Sequence, residues 1–160
     1  MWTADDVPAG DACVFCELLT TGDARWVAEE SEVVAFLPLD ADALAPGHTL
    51  VVPRAHHVGV LDTPAALLGL TMELVQRVGL AMQDALGASG VVVLNASGPH
   101  SGQSVGHLHL HVVPCWPGDK ASFWPADRSA KRVDGEVHKL IAQQLRTTYN
   151  PHGRRPSLPA

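Results

Sequence analysis

The sequence is short of positive charge. Lys and Arg together number 11 against 17 Asp and Glu, a formal net charge of −6. A broad electrostatic footprint for nucleic acid is therefore excluded. Any bound phosphate must be gripped by local donors rather than by a basic surface. Cysteine is also scarce: Cys13, Cys16 and Cys115 form an odd set of three, which argues against a disulfide framework. No uninterrupted apolar run reaches the roughly 20 residues of a membrane span, so no membrane partner is expected. The N-terminus, Met1-Trp2-Thr3-Ala4-Asp5-Asp6, lacks the basic start of a secretory signal, and the expected compartment is the cytoplasm. Hydrophobic residues make up 46% of the chain, enough for a core, and 160 residues suit one domain.

Histidine, by contrast, is plentiful, with nine in the chain. In Gly106-His107-Leu108-His109-Leu110-His111-Val112-Val113-Pro114 three of them alternate with aliphatic residues. Alternation of this kind predicts a β-strand with His107, His109 and His111 on one face, neighbours about 6.6 Å apart along the strand. A row of imidazoles does nothing for packing. It reads as a polar strand face, as a metal site, or as catalytic machinery in which a neutral imidazole is nucleophile or base. Gly102-Gln103-Ser104 just before the strand favours catalysis, because such a turn offers backbone, amide and hydroxyl donors to a phosphate.

The remaining elements follow from periodicity and punctuation. Residues 1–11 read as a flexible N-terminus, 12–147 as the domain and 148–160 as a disordered tail. Cys13 to Leu19 reads as a short helix. Its Cys-x-x-Cys is local packing, a redox pair or half of a zinc site, and a zinc site needs two more ligands. Residues 24–28 and 32–37 read as strands of a hairpin, 38–47 as a loop, and His48 to Pro53 as a strand. The long helix spans about Thr63–Leu86, with Thr63 as cap, Pro64 in the first turn and Gly87 at the end. Its apolar face is read as Leu67, Leu70, Leu74, Val78, Ala81 and Met82. Gly90 to Asn95 reads as a buried strand, and Asp134 to Thr147 as a second helix with Val137, Leu140, Ile141 and Leu145 as its stripe. His100 and His138 read as solvated. Strands, one long helix and more strands give an α+β domain with an antiparallel sheet.

At its histidine-rich stretch the sequence resembles the histidine triad (HIT) family, whose signature is His-x-His-x-His followed by two apolar residues. The resemblance runs from about residue 12 to 125. It takes in Leu44-Ala45-Pro46-Gly47-His48-Thr49-Leu50-Val51-Val52-Pro53, Asn95-Ala96-Ser97-Gly98 and Gln103-Ser104-Val105-Gly106. It implies the HIT fold, a five-stranded antiparallel sheet with one long helix and a C-terminal helix, pairing in a homodimer to a ten-stranded sheet. It also implies a purine nucleotide as partner. The implied activity is a hydrolase or nucleotidyl transferase of the Hint-like and bacterial HIT branch, a nucleoside phosphoramidase cleaving at the α-phosphate through a nucleotidyl-histidine. A dinucleoside polyphosphate hydrolase and a nucleotide-binding regulator with negligible turnover are the alternatives.

The resemblance also assigns roles. His109 is the nucleophile, its ring fixed by a backbone carbonyl of the triad strand. His111, Ser104 and Gln103 bind phosphate oxygens and the leaving group, Asn95 fixes the phosphate or its loop, and His48 supports the phosphate end. Asp40 accepts from ribose hydroxyls, with Asp42 as competitor. Val14, Phe15, Leu18 and Leu39 read either as base pocket or as core. No cofactor is required for the chemistry, but some relatives carry a structural zinc, which here would take Cys13, Cys16, His56 and His107, with His57 in reserve. Cys115 stands where the family commonly has a basic residue. The segment around Trp124 lies in a region that often covers the partner subunit's site.

Overall fold

Two β-branched, apolar runs form the middle of a sheet. Val33–Phe36 (β2) and Thr49–Pro53 (β3) pair antiparallel, and every residue of both is buried. Trp26–Glu29 (β1) pairs with β2 on one side. On the other, Leu110–Cys115 (β5) pairs with β3, and Gly90–Leu94 (β4) pairs with β5. The order is β1-β2-β3-β5-β4, and all neighbours are antiparallel. The expected α+β class and five-stranded antiparallel sheet are what the chain forms. The computed structural model describes residues 13–123 and 128–148. The expectations for residues 1–11, for Trp124 and for 149–160 fall outside the described residues.

Each face of the sheet carries its own core. The helix Ala65–Leu86 (α2) lays Leu74, Val75, Val78 and Met82 against Val33, Ala35, Val51, Leu110 and Val112. On the opposite face the short helix Val14–Thr21 (α1) brings Phe15 against Val34, Phe36, Leu50 and Val52. Strand alternation splits the triad between them: Leu108, Leu110 and Val112 enter the α2 core, which sends the histidines to the α1 face. α2 has the length and composition of a membrane-crossing helix, with a mean hydropathy of 1.3 over its best window. Here one side of it is the core of the domain, and Glu73, Arg77 and Asp84 lie on its exposed side.

Several boundaries differ from expectation. α2 starts at Ala65 with Pro64 as N-cap, and Thr63 does not cap it. The Thr63 hydroxyl instead donates to the Gly59 carbonyl at 2.7 Å, inside the preceding turn. The buried stripe is Thr71, Leu74, Val75, Val78, Gly79 and Met82, while Leu70 and Ala81 are exposed. β4 is an edge strand, not a buried one, and Val91 and Val93 are 37% and 40% exposed. A separate unit begins at Phe123. It contains the helix Val137–Thr147 (α3), shorter than expected, with Val137, Leu140, Ile141 and Leu145 exposed. His100 and His138 are exposed, as read.

Candidate active site and metal centre

The three triad histidines meet three different environments. His109 is buried under Phe15, whose ring lies edge-on to it with centroids 5.3 Å apart. Its Nδ1 is 2.7 Å from the His107 carbonyl oxygen. A carbonyl only accepts, so Nδ1 carries the proton and Nε2 keeps a lone pair. Nε2 has no hydrogen-bond partner among the described residues. Burial holds the His109 pKa below the ordinary histidine value, and the bond to the His107 carbonyl opposes this in part. The ring is therefore neutral at pH 7, with its nucleophilic nitrogen free.

A hydrogen-bond chain fixes the tautomers beside it. The Leu44 N–H donates to His48 Nδ1 at 3.1 Å, so His48 carries its proton on Nε2. That nitrogen lies 2.9 Å from His111 Nδ1, which must accept. His111 in turn presents Nε2–H, a donor aimed away from His48. The His48 and His111 rings are near-parallel with centroids 5.1 Å apart, and His111 meets His109 edge-on at 5.0 Å. Burial, with His109 and His48 close by, pushes the His111 pKa down to about 4, and burial lowers that of His48. His48 is placed by the Pro46-Gly47 turn. Gly47 has φ +84°, a conformation in which a Cβ is strained.

The loops around the triad show what holds them. The Asn95 amide donates to the His109 carbonyl at 2.8 Å, and the Ser97 hydroxyl orients that amide by donating to its oxygen at 2.7 Å. Asn95 thus fixes the triad backbone. Gln103 is tied into the turn before the triad. Its amide nitrogen is shared between the Val58 and Val105 carbonyls at 2.5 and 2.8 Å, and its oxygen accepts from the Gly98 N–H. With both N–H groups on these carbonyls, Gln103 shapes the turn. Gly102, at φ +85°, supplies the left-handed turn before it. Ser104 is exposed, and its hydroxyl has no partner among the described residues.

Asp40 opens a 3₁₀ turn, Asp40–Asp42. It lines a cavity of 420 Å³ together with Arg25, Leu44, Pro46, Gly47 and His48, whereas Asp42 does not. Arg25 escaped the sequence reading. Its guanidinium holds Asp40 Oδ1 at 2.8 Å and the Pro38 carbonyl at 2.5 Å. An arginine in a strand-like run gave no signal of this pairing. Of the apolar candidates, Phe15 is core, whereas Val14 and Leu39 are exposed.

His107, on the same face of the sheet, meets the two cysteines at the start of α1. Its Nε2 donates to the Pro53 carbonyl at 2.8 Å, leaving the Nδ1 lone pair towards Cys13 Sγ at 3.4 Å and Cys16 Sγ at 3.5 Å. Cys16 Sγ lies 3.3 Å from His56 Nδ1. The donor atoms of Cys13, Cys16, His56 and His107 all lie within 4.8 Å of one another. A tetrahedral zinc with the usual bonds to sulfur and nitrogen sets its S···N edges at about 3.6 Å. The observed spacings fit that geometry, so the four residues can hold a metal ion. His57 is not in the cluster and faces Asp62 instead. Burial and the neighbouring Cys13 raise the Cys16 thiol pKa, the opposite of what a bound cation does.

Comparison with known proteins agrees with this arrangement. The HIT domain pattern matches residues 20–117. An uncharacterized HIT-like protein of Saccharolobus solfataricus is 33% identical over 138 residues, which cover 84% of this chain and 98% of that one. The crystal structure of a zinc-bound histidine triad family protein from Mycobacterium smegmatis is 34% identical and has a TM-score of 0.66, over 73% of this chain and 85% of its own. That of a hypothetical histidine triad nucleotide-binding protein from Sulfolobus tokodaii is 30% identical with a TM-score of 0.62, covering 84% and 89%. The triad's geometry and these likenesses, which run through sheet, helix and histidine strand together, make this chain a member of the HIT family.

Proposed function

We propose that the protein is a nucleotidyl hydrolase that cleaves a nucleotide conjugate, a phosphoramidate or similar, at its α-phosphate. The observation that carries this reading is the His109 ring: Nδ1–H fixed by the His107 carbonyl, Nε2 free, and the ring neutral. Nε2 attacks the α-phosphorus. A P–N bond forms as the bond to the leaving group breaks, and the electron pair departs with that group. The ring becomes cationic, and the His107 carbonyl accepts more strongly from Nδ1–H, so this bond stabilises the covalent step more than the ground state. His111 Nε2–H and the Ser104 hydroxyl donate to phosphoryl oxygens or the leaving atom. Water then attacks phosphorus, releases the mononucleotide and returns the electron pair to Nε2.

Substrate binding follows from what surrounds the triad. Asp40, beside His48 in one cavity, accepts from the ribose hydroxyls, and the exposed Val14 and Leu39 flank a purine. Cys13, Cys16, His56 and His107 bind one zinc, which serves structure and leaves the reaction to the triad. With all three cysteines free, a reducing cytoplasm is the fitting compartment. Two subunits pair along β4, whose free edge adjoins a groove of 480 Å³ lined by Met72, Gln76, Leu80, Val91 and Val93.

The test is a panel of adenosine and guanosine phosphoramidates, phosphosulfates and dinucleoside polyphosphates, scored for released mononucleotide. Turnover should be highest on a phosphoramidate or phosphosulfate. His109→Ala should lose several orders of magnitude in kcat while still binding mononucleotide. A variant that keeps most of its kcat would remove His109 as nucleophile. Binding without turnover across the whole panel would favour a regulatory module instead.

A further inference from the structure

The nucleophile lies just outside the hydrogen-bond ladder of the sheet. β5 begins at Leu110, which pairs with Val51, and its pairing with β4 ends at His111. His107, Leu108 and His109 come before both. Their placement rests on other ties. The Leu108 N–H donates to the His57 carbonyl at 2.6 Å, and the Asn95 amide holds the His109 carbonyl. The His107 ring, fully buried, is fixed by Pro53 on one nitrogen and faces two thiols with the other.

His107 therefore belongs to two sites at once. Its ring is a member of the Cys13–Cys16–His56–His107 cluster. Its carbonyl accepts the hydrogen bond from Nδ1–H that sets the tautomer of His109. Its neighbours repeat the pattern, since His56 is in the cluster and the next residue, His57, holds Leu108. We propose that the metal centre is the positioning device of the nucleophile, acting on His109 through the His107 carbonyl and the His57–Leu108 bond. The inference rests on the reading of His109 as nucleophile. His56 and Cys16 are then positioning residues, since they touch neither substrate nor the reacting atoms. A bound ion turns the weak thiol–imidazole contacts into bonds, tying the start of α1 and the loop at residues 54–57 to a segment that the sheet does not hold.

The test measures hydrogen exchange of a peptide covering residues 104–110 in the full chain, alongside bound zinc and steady-state kinetics. Wild type as isolated, chelator-treated wild type, His56→Ala and His56→Cys are compared. His56→Cys keeps four ligands as a Cys₃His set. Chelated protein and His56→Ala should lose the zinc and exchange faster in 104–110 than in β2 and β3. Their kcat should fall on the order of 10- to 100-fold with KM little changed, the cost of a slightly misplaced reacting group. His56→Cys should restore all three. Zinc loss with unchanged exchange in 104–110 would overturn the proposal, and so would exchange rising equally across β2 and β3, or wild type that binds no zinc. The exchange arm does not need a substrate. If wild type turns nothing over, the proposed activity fails while exchange still decides whether the centre positions this segment.

Discussion

Asp40 is held in place by another side chain of the same cavity. Arg25 grips one carboxylate oxygen and, with its other nitrogen, the Pro38 carbonyl just upstream, so Oδ2 is left for a ligand. The two side chains are 53% and 90% exposed, and an exposed pair of this kind contributes little to folding stability. Its effect should be read in binding instead. Asp40→Asn should weaken affinity for a ribonucleotide by about 1.5–3 kcal/mol, the range for hydrogen bonds to a charged acceptor. The loss should shrink for the 2′-deoxynucleotide, where one partner is already missing. Arg25→Ala should give a smaller loss of the same pattern, with an unchanged thermal midpoint. Calorimetric titration of both variants with AMP and 2′-deoxy-AMP checks this, and equal losses for the two sugars would show that Asp40 does not touch the ribose. That Asp40 and His48 line one cavity was legible in the sequence through their spacing within a recognisable motif. Arg25 was not, because nothing local distinguishes an arginine that reaches across a loop from one that points into solvent.

Elements were legible where their side-chain pattern is local and less so where a partner decides. The alternation through His107 to Val112 correctly divides apolar from imidazole side chains. It cannot say that the ladder starts only at Leu110, since hydrogen bonds require the opposite strands to continue. On α2, Leu67, Leu70 and Ala81 compete with Thr71, Val75 and Gly79 for the buried stripe, and the sheet beneath selects the second set. The continuous apolar run of β4 reads as buried on both faces, yet it lies at the edge. A second subunit along that edge would account for a run that is apolar throughout. The wild-type chain should therefore sediment as a dimer, and the double variant Leu80→Glu, Val93→Lys as a folded monomer. A wild-type monomer at every concentration would reject the pairing, and a dimeric double variant would move it to another face.

At the scale of the whole molecule, the site makes folding depend on pH. His48 and His109 are buried and His111 partly so, and burial lowers the pKa of each, that of His111 to about 4. In the unfolded chain each returns to about 6.5. Between these values the unfolded state binds more protons than the folded one, so stability rises with pH through that window. The contribution is complete above pH 6.5 and is lost as pH falls, that of His111 towards 4. Carboxylates titrate in part of the same range, so the wild-type profile alone does not isolate the histidines. The informative quantity is the difference between wild type and His111→Gln, which keeps an acceptor near His48 but removes the titration. The thermal midpoint of wild type relative to this variant should be greatest at pH 7–8 and should shrink steadily from pH 6.5 to 4. Activity should fall on acidification below pH 6.5, because protonating His109 removes the lone pair of the proposed nucleophile. A midpoint difference that is flat or grows on acidification would mean that His111 is solvated and charged in the native state. The hydrogen bond that it accepts from His48 could not then form, and the His48 Nε2–H, fixed by the Leu44 N–H on the other nitrogen, would have to find another acceptor.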